Sequence, residues 1–159
     1  YLARSREAFD IIIIDLTEPV EEGPAYLLYT KEFYQLVCNR LTANGIITVQ
    51  AGSAAYTELL NFSAVYNTLK SVFPKVFPYQ IDIPSFGGPW GFCFASQKLE
   101  PILPEEVDRR INARVINNLK CYDGVTHQAM FSLPKHLRAE LRSQTRLITD
   151  NNPLYTYNK

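Results

Sequence analysis

Two carboxylates three positions apart, Asp15 and Glu18, stand directly after an unbroken run, Ile11-Ile12-Ile13-Ile14. Pro19, Gly23 and Pro24 then turn the chain into a loop. An apolar β-branched run without alternation reads as a strand buried on both faces, as in a parallel sheet. Open α/β sheets bind ligands beyond the carboxyl ends of their strands. The pattern therefore predicts a pair of acids at the mouth of a sheet, a good place to hold a cation. A second β-branched stretch, residues 46–50, also closes on a polar side chain, Gln50. Phe86 lies in a loop beside Gly87-Gly88.

The elements that must position these groups follow from periodicity. Residues 9–15 read as a strand. Residues 31–41 read as a helix with Thr30 as N-cap and Asn44-Gly45 as its stop signal. Residues 46–50 form the next strand, and Ala51-Gly52-Ser53 a turn. Residues 58–72 read as a helix with Leu59, Phe62, Val65, Tyr66 and Leu69 on one face. Residues 79–83 and 90–96 read as strands joined by a Gly/Pro loop, hence antiparallel. Residues 105–119 form an amphipathic helix with Val107, Ile111, Val115 and Ile116 inward. Residues 120–132 read as irregular, and residues 133–145 as a last helix started by Pro134. This order predicts an α/β fold: the C-terminal half of a Rossmann-like, class I methyltransferase-type sheet, ending in an antiparallel hairpin with flanking helices. No GxGxxG turn joins a strand to a helix.

With 159 residues, 47% apolar and 20% charged, the chain fits one domain with a real core. A formal net charge of zero and no basic stripe argue against a nucleic-acid partner. The longest apolar run is far too short to cross a bilayer, so no membrane partner is expected. The opening residues lack an apolar leader, and lack Met, so they read as the start of a trimmed or partial chain. Cys38, Cys93 and Cys121 are odd in number and widely separated, which predicts buried free thiols in a reducing cytoplasm. Glu21 and Glu22 read as a solvated acidic rim. Tyr29, Phe33 and Tyr34 read as helix-packing residues, and Trp90 suits either core or pocket wall. His127 and His136 lie away from the strand ends and read as surface or core groups, and no metal-ligand spacing occurs.

These residues carry a resemblance to the polyamine aminopropyltransferases, the spermidine synthase family. It rests on Asp15-Leu16-Thr17-Glu18-Pro19 with Gly23-Pro24-Ala25, on Leu28 to Tyr34, and on Gly45-Ile46-Ile47-Thr48-Val49-Gln50. It continues through Ile83-Pro84-Ser85-Phe86 with Trp90-Gly91-Phe92, and ends in Met130-Phe131-Ser132-Leu133-Pro134-Lys135. The resemblance implies that residues 1–159 are a single partial catalytic domain. On that reading it is the C-terminal part of such an enzyme, without the N-terminal β domain and the glycine-rich cofactor loop. It implies transfer of an aminopropyl group from decarboxylated S-adenosylmethionine, a co-substrate rather than a prosthetic group, to a polyamine, with release of 5′-methylthioadenosine. It places Asp15 as the catalytic acid–base group and Asp15, Leu16, Thr17 and Glu18 as the amine-binding segment. Gln50 becomes a polar contact to the amine, Phe86 stands where spermidine-forming members carry a Tyr, and Pro24 lines the methylthioadenosine site. A homodimer is the family's usual assembly.

Three departures bear on the acceptor. Glu18 replaces a commoner Asp, Glu21-Glu22 lengthen the loop, and Phe86 lacks a hydroxyl. The longer loop and Ile83-Pro84-Ser85-Phe86 are similar to thermospermine synthases and relatives with acceptors other than putrescine. The expected acceptor is therefore putrescine or another amine, with a product of the spermidine, thermospermine, spermine or aminopropylagmatine kind. A non-catalytic partner that kept the fold is the reading from a different class.

Overall fold

The computed structural model describes residues 1–21, 23–115 and 119–156. Its centre is a four-stranded mixed sheet in the order β1-β2-β4-β3, with β1 Phe9–Ile14, β2 Leu41–Ser53, β3 Lys75–Ile83 and β4 Gly88–Ser96. β1 runs parallel to β2, and β4 pairs antiparallel with both β2 and β3. The α/β reading and the closing hairpin therefore hold. The helices are α1 Lys31–Cys38, α2 Leu60–Lys70, α3 Pro104–Arg114, α4 Gly124–Phe131 and α5 Lys135–Ser143. None among the described residues is long and apolar enough to cross a membrane.

The core forms where α1 and α2 cover one sheet face and α5 packs on α2. Tyr34 and Val37 from α1, Phe62, Val65 and Leu69 from α2, and Leu137 from α5 are fully buried in one cluster with Ile47 and Val49. Thr30 caps α1 as expected: its hydroxyl accepts from Phe33 N at 3.3 Å. Ile148 N, on the strap after α5, donates to Thr68 Oγ1 on α2 at 3.0 Å, tying that strap to the core.

Several sequence expectations fail for local reasons. The isoleucine run is not buried on both faces. Ile14 is buried, but Ile11 and Ile13 are 58% and 67% exposed, because no described helix covers that face of the edge strand. Asn44-Gly45 does not stop α1. The helix ends at Cys38, and β2 already begins at Leu41. Between the pairs Phe9↔Leu41 and Ile11↔Ile46 the register shifts, so Asn44 and Gly45 sit in a bulge of the strand. Ala51-Gly52-Ser53 is likewise strand rather than turn, with a second register shift around Gly52. Residues 120–132 contain α4, capped by Asp123, whose carboxylate accepts from Thr126 N at 2.7 Å. Cys93 is buried and Cys38 half-buried, but Cys121 is exposed; all three thiols are free. Val115 is also exposed rather than inward. Ile116 and Glu22 lie outside the described residues.

Candidate active site

The register of β1 and β2 brings Asp15 and Gln50 together. Ile14 pairs with Val49 across the parallel ladder, so Asp15, just past the end of β1, comes beside Gln50, which lies inside β2. Asp15 is exposed, whereas Gln50 is only 6% exposed and its Oε1 has no hydrogen-bond partner. A cavity of about 660 Å³ opens there, lined by Asp15, Leu16, Thr17, Glu18, Val20, Gln50, Phe86 and Trp90. Six of the seven residues singled out in the sequence thus meet in one place, from three separate stretches of chain. Pro24, the seventh, is exposed in the following loop and does not line this cavity.

The acid segment is held from two sides. Tyr29 is completely buried, and its hydroxyl donates to the carbonyls of Leu16 and Thr17 at 3.3 and 3.2 Å. Thr156 N donates to the Pro19 carbonyl at 2.8 Å, so the C-terminal tail clamps the loop's far end. Burial raises the Tyr29 pKa well above its ordinary value, and the nearby Glu18 and Asp15 carboxylates raise it further. The phenol therefore remains a neutral donor. Sequence reasoning gave Tyr29 only a packing role. Its position between the acid loop and α1 was the available signal.

Gly52 shapes the floor. Its φ is +91°, a conformation that favours glycine, and its bare Cα leaves room above the strand. A Cβ there would lie 2.5 Å from Asn61 Nδ2 and 3.0 Å from Glu18 Oε1. The carboxylate and the carboxamide thus converge over the one residue that can admit both. On the opposite rim, Phe86 is 53% exposed and packs edge-on against Trp90, ring centroids 4.9 Å apart. Trp90 is therefore pocket wall, a role the sequence left open. Gly87 at φ +87° ends the short turn Pro84–Phe86 that presents Phe86.

The histidines lie elsewhere. Tyr122 pairs its hydroxyl with His127 Nδ1 at 2.8 Å, while His127 Nε2 sits 3.1 Å from the Ile102 carbonyl; His136 packs against Tyr56. Among the described residues no cluster of His, Cys, Asp and Glu has the makings of a metal site.

Residues 1–106 match the family model described as the spermine/spermidine synthase domain. The chain belongs to the spermine/spermidine synthase family. It is 42% identical over 156 residues to the polyamine aminopropyltransferase of Sulfurisphaera tokodaii, covering 97% of this chain and 51% of that protein. It is 36% identical over 155 residues to that of Saccharolobus solfataricus, covering 98% of this chain and 51% of that protein. The spermidine synthase of Thermotoga maritima superposes with a TM-score of 0.74 at 30% identity, over 91% of this chain and 47% of that one. A spermidine synthase in complex with the transition-state analogue AdoDATO gives 0.72 at 28% identity, over 91% and 46% of the two chains. The chain spans about half the length of the curated relatives it matches. These likenesses support the methyltransferase-like sheet of the family fold, and within it the acid cavity lies at the carboxyl end of the parallel pair.

Proposed function

We propose that this chain forms the C-terminal catalytic half of a polyamine aminopropyltransferase. In the reaction, the aminopropyl group of decarboxylated S-adenosylmethionine passes to an amine acceptor such as putrescine or a longer polyamine, releasing 5′-methylthioadenosine. The observation that carries the reading is the convergence of Asp15, Glu18, Gln50 and Phe86 on one cavity at the strand ends.

The chemistry asks for these groups. The acceptor is an aliphatic amine, protonated in water with a pKa of about 10. In that form it has no lone pair. Glu18 and Asp15 attract the cation, and Gln50 Oε1, buried without a partner, accepts one of its N–H groups. Desolvation and the approaching sulfonium lower the amine's pKa, and Asp15 takes its proton, directly or through water. The freed nitrogen pair attacks the aminopropyl carbon bonded to sulfur. The C–S bond breaks, its electron pair stays on sulfur, and a neutral thioether leaves. Alignment of nucleophile and carbon supplies much of the rate. Phe86 and Trp90 offer an apolar wall to the methylenes between nitrogens. Pro24, in the loop after the acid segment, is assigned to the methylthioadenosine side on family resemblance alone.

The decisive variant is Asp15→Asn in the whole protein, assayed with decarboxylated S-adenosylmethionine and a panel of amines by product chromatography. It should fold as the parent does and lose about 10²–10⁴ in kcat, the range of a general base. Turnover close to the parent's removes Asp15 from the role. Family resemblance also supports a homodimer and a cytoplasmic location for the whole protein, which sedimentation and fractionation check.

A further inference from the structure

The groove does not end at Phe86. A second cavity, of about 450 Å³, shares Glu18, Phe86 and Trp90 with the Asp15 cavity and continues to Glu58, Asn61 and Thr156. It lies beyond the acid pair, between the start of α2 and the C-terminal tail. Asn61 at its base is only 5% exposed, and neither atom of its carboxamide has a hydrogen-bond partner. Thr156 Oγ1 and Trp90 Nε1, on the same cavity, are buried without partners too. Polar atoms buried in this way are unfavourable in a folded chain unless something completes them. Four such atoms on three residues around one cavity describe a place built for a polar ligand.

The sign of that ligand follows from charge. Asp15, Glu18 and Glu58 line the two cavities, and among the described residues no Lys, Arg or His lines either. An anion is repelled, and an alkylammonium, a donor-only cation, is matched. We propose that Asn61, Thr156 and Glu58 form an end subsite for the far, non-reacting amine of an elongated acceptor carrying at least three amine nitrogens. This rests on the aminopropyl transfer proposed above and names the acceptor class. Asn61 Oδ1 and Thr156 Oγ1 accept from the ammonium, and Glu58 supplies the countercharge. Glu18, between the two cavities, holds the middle of the chain. Gly52 is what opens the passage. Its missing Cβ is the space over which Asn61 Nδ2 and Glu18 Oε1 meet, so any larger residue closes the groove between Gln50 and Asn61.

The test uses the whole enzyme with decarboxylated S-adenosylmethionine and two acceptors, putrescine as diamine and spermidine as triamine. The readout is the ratio of kcat/KM for spermidine to that for putrescine in the parent, in Asn61→Leu and in Thr156→Val. The ratio should fall about tenfold in Asn61→Leu and at least about threefold in Thr156→Val, chiefly through the spermidine KM, as expected when a binding contact is removed. Thr156→Val keeps the shape of the side chain and carries the same readout if Asn61→Leu fails to fold. A ratio unchanged in both variants, or a parent that does not accept spermidine, overturns the subsite while leaving the transfer reaction standing. A parent that transfers to neither amine overturns the reaction itself.

Discussion

Replacing Tyr29 by Phe removes one oxygen from the base of the acid loop and nothing else. The ring is completely buried and its packing is unchanged by the loss. The hydroxyl is shared between two carbonyls at 3.3 and 3.2 Å, both long for an O–H donor. Such a bond contributes about 0.5–1.5 kcal/mol net, so the variant should lose about 1 kcal/mol of stability. In a chain of this size that lowers Tm by roughly 2–4 °C. Activity should suffer more. Leu16 and Thr17 lie between Asp15 and Glu18, and their carbonyls lose the donor that holds them. A displacement of roughly 1 Å at a reacting group can cost about 10²-fold in rate. An effect on catalysis equal to the lost stability would be only about fivefold, since 1.36 kcal/mol is tenfold. Parallel measurements of kcat and thermal unfolding on the whole enzyme separate these magnitudes. A Tm lowered as expected with kcat within about twofold of the parent would refute the positioning role and leave Tyr29 as packing.

Gly52→Ala should be destabilising by about 1–3 kcal/mol, because alanine at φ +91° is strained and its Cβ meets Asn61 and Glu18; chemical denaturation measures it, and a neutral change would mean that the bulge relaxes freely. Glu106 is hydrogen-bonded by Arg109 and Arg110, and these contacts lower its pKa from 4.5 to about 2. A depressed carboxylate stabilises the fold above its unfolded pKa and loses that contribution as pH falls through the folded one. Glu106→Gln should therefore flatten the dependence of the urea midpoint on pH between about 4.5 and 2, and an unaltered slope would contradict the pairing.

The sequence carried the site further than it carried the elements. Asp15 and Glu18 stood out at the end of an apolar run, Gln50 and Phe86 took their roles from the family resemblance, and the structure brings all four to one cavity. What escaped depends on contacts across the chain. Asn44-Gly45 looks like a stop, but in the structure β2 begins upstream of it and absorbs the pair as a bulge against β1. Gly52 reads as a turn glycine until the register shift at Gln50 shows it bending a continuous strand. α4 was invisible to periodicity because Gly124 is its only buried residue, and the Asp123 cap was the sole local sign. Asn61 has the look of a solvent-facing helix residue. In the structure it sits over Gly52 of the β2 bulge and lines a cavity with Trp90 and the tail.

On the proposed transfer, the arrangement also constrains how the proton leaves. An ordinary Asp is about six pKa units more acidic than an aliphatic amine, a gap of about 8 kcal/mol at roughly 1.4 kcal/mol per unit. That gap narrows only when water is withdrawn from the amine or a cation approaches it. Asp15 is exposed on the described residues, so the acid alone does not provide the dry environment. Nor can the acid loop readily swing to find one, because Tyr29 holds Leu16 and Thr17 while Thr156 holds Pro19. The apolar material at hand, Phe86 on Trp90, covers the methylene side of the groove rather than the carboxylate. It follows that the enclosing surface must come to Asp15 and not the reverse. On the proposed reaction, the bound donor with its sulfonium is what shuts the cavity over a carboxylate already fixed in place. Preorganisation of this kind puts the cost of ordering the acid into folding, before the amine arrives.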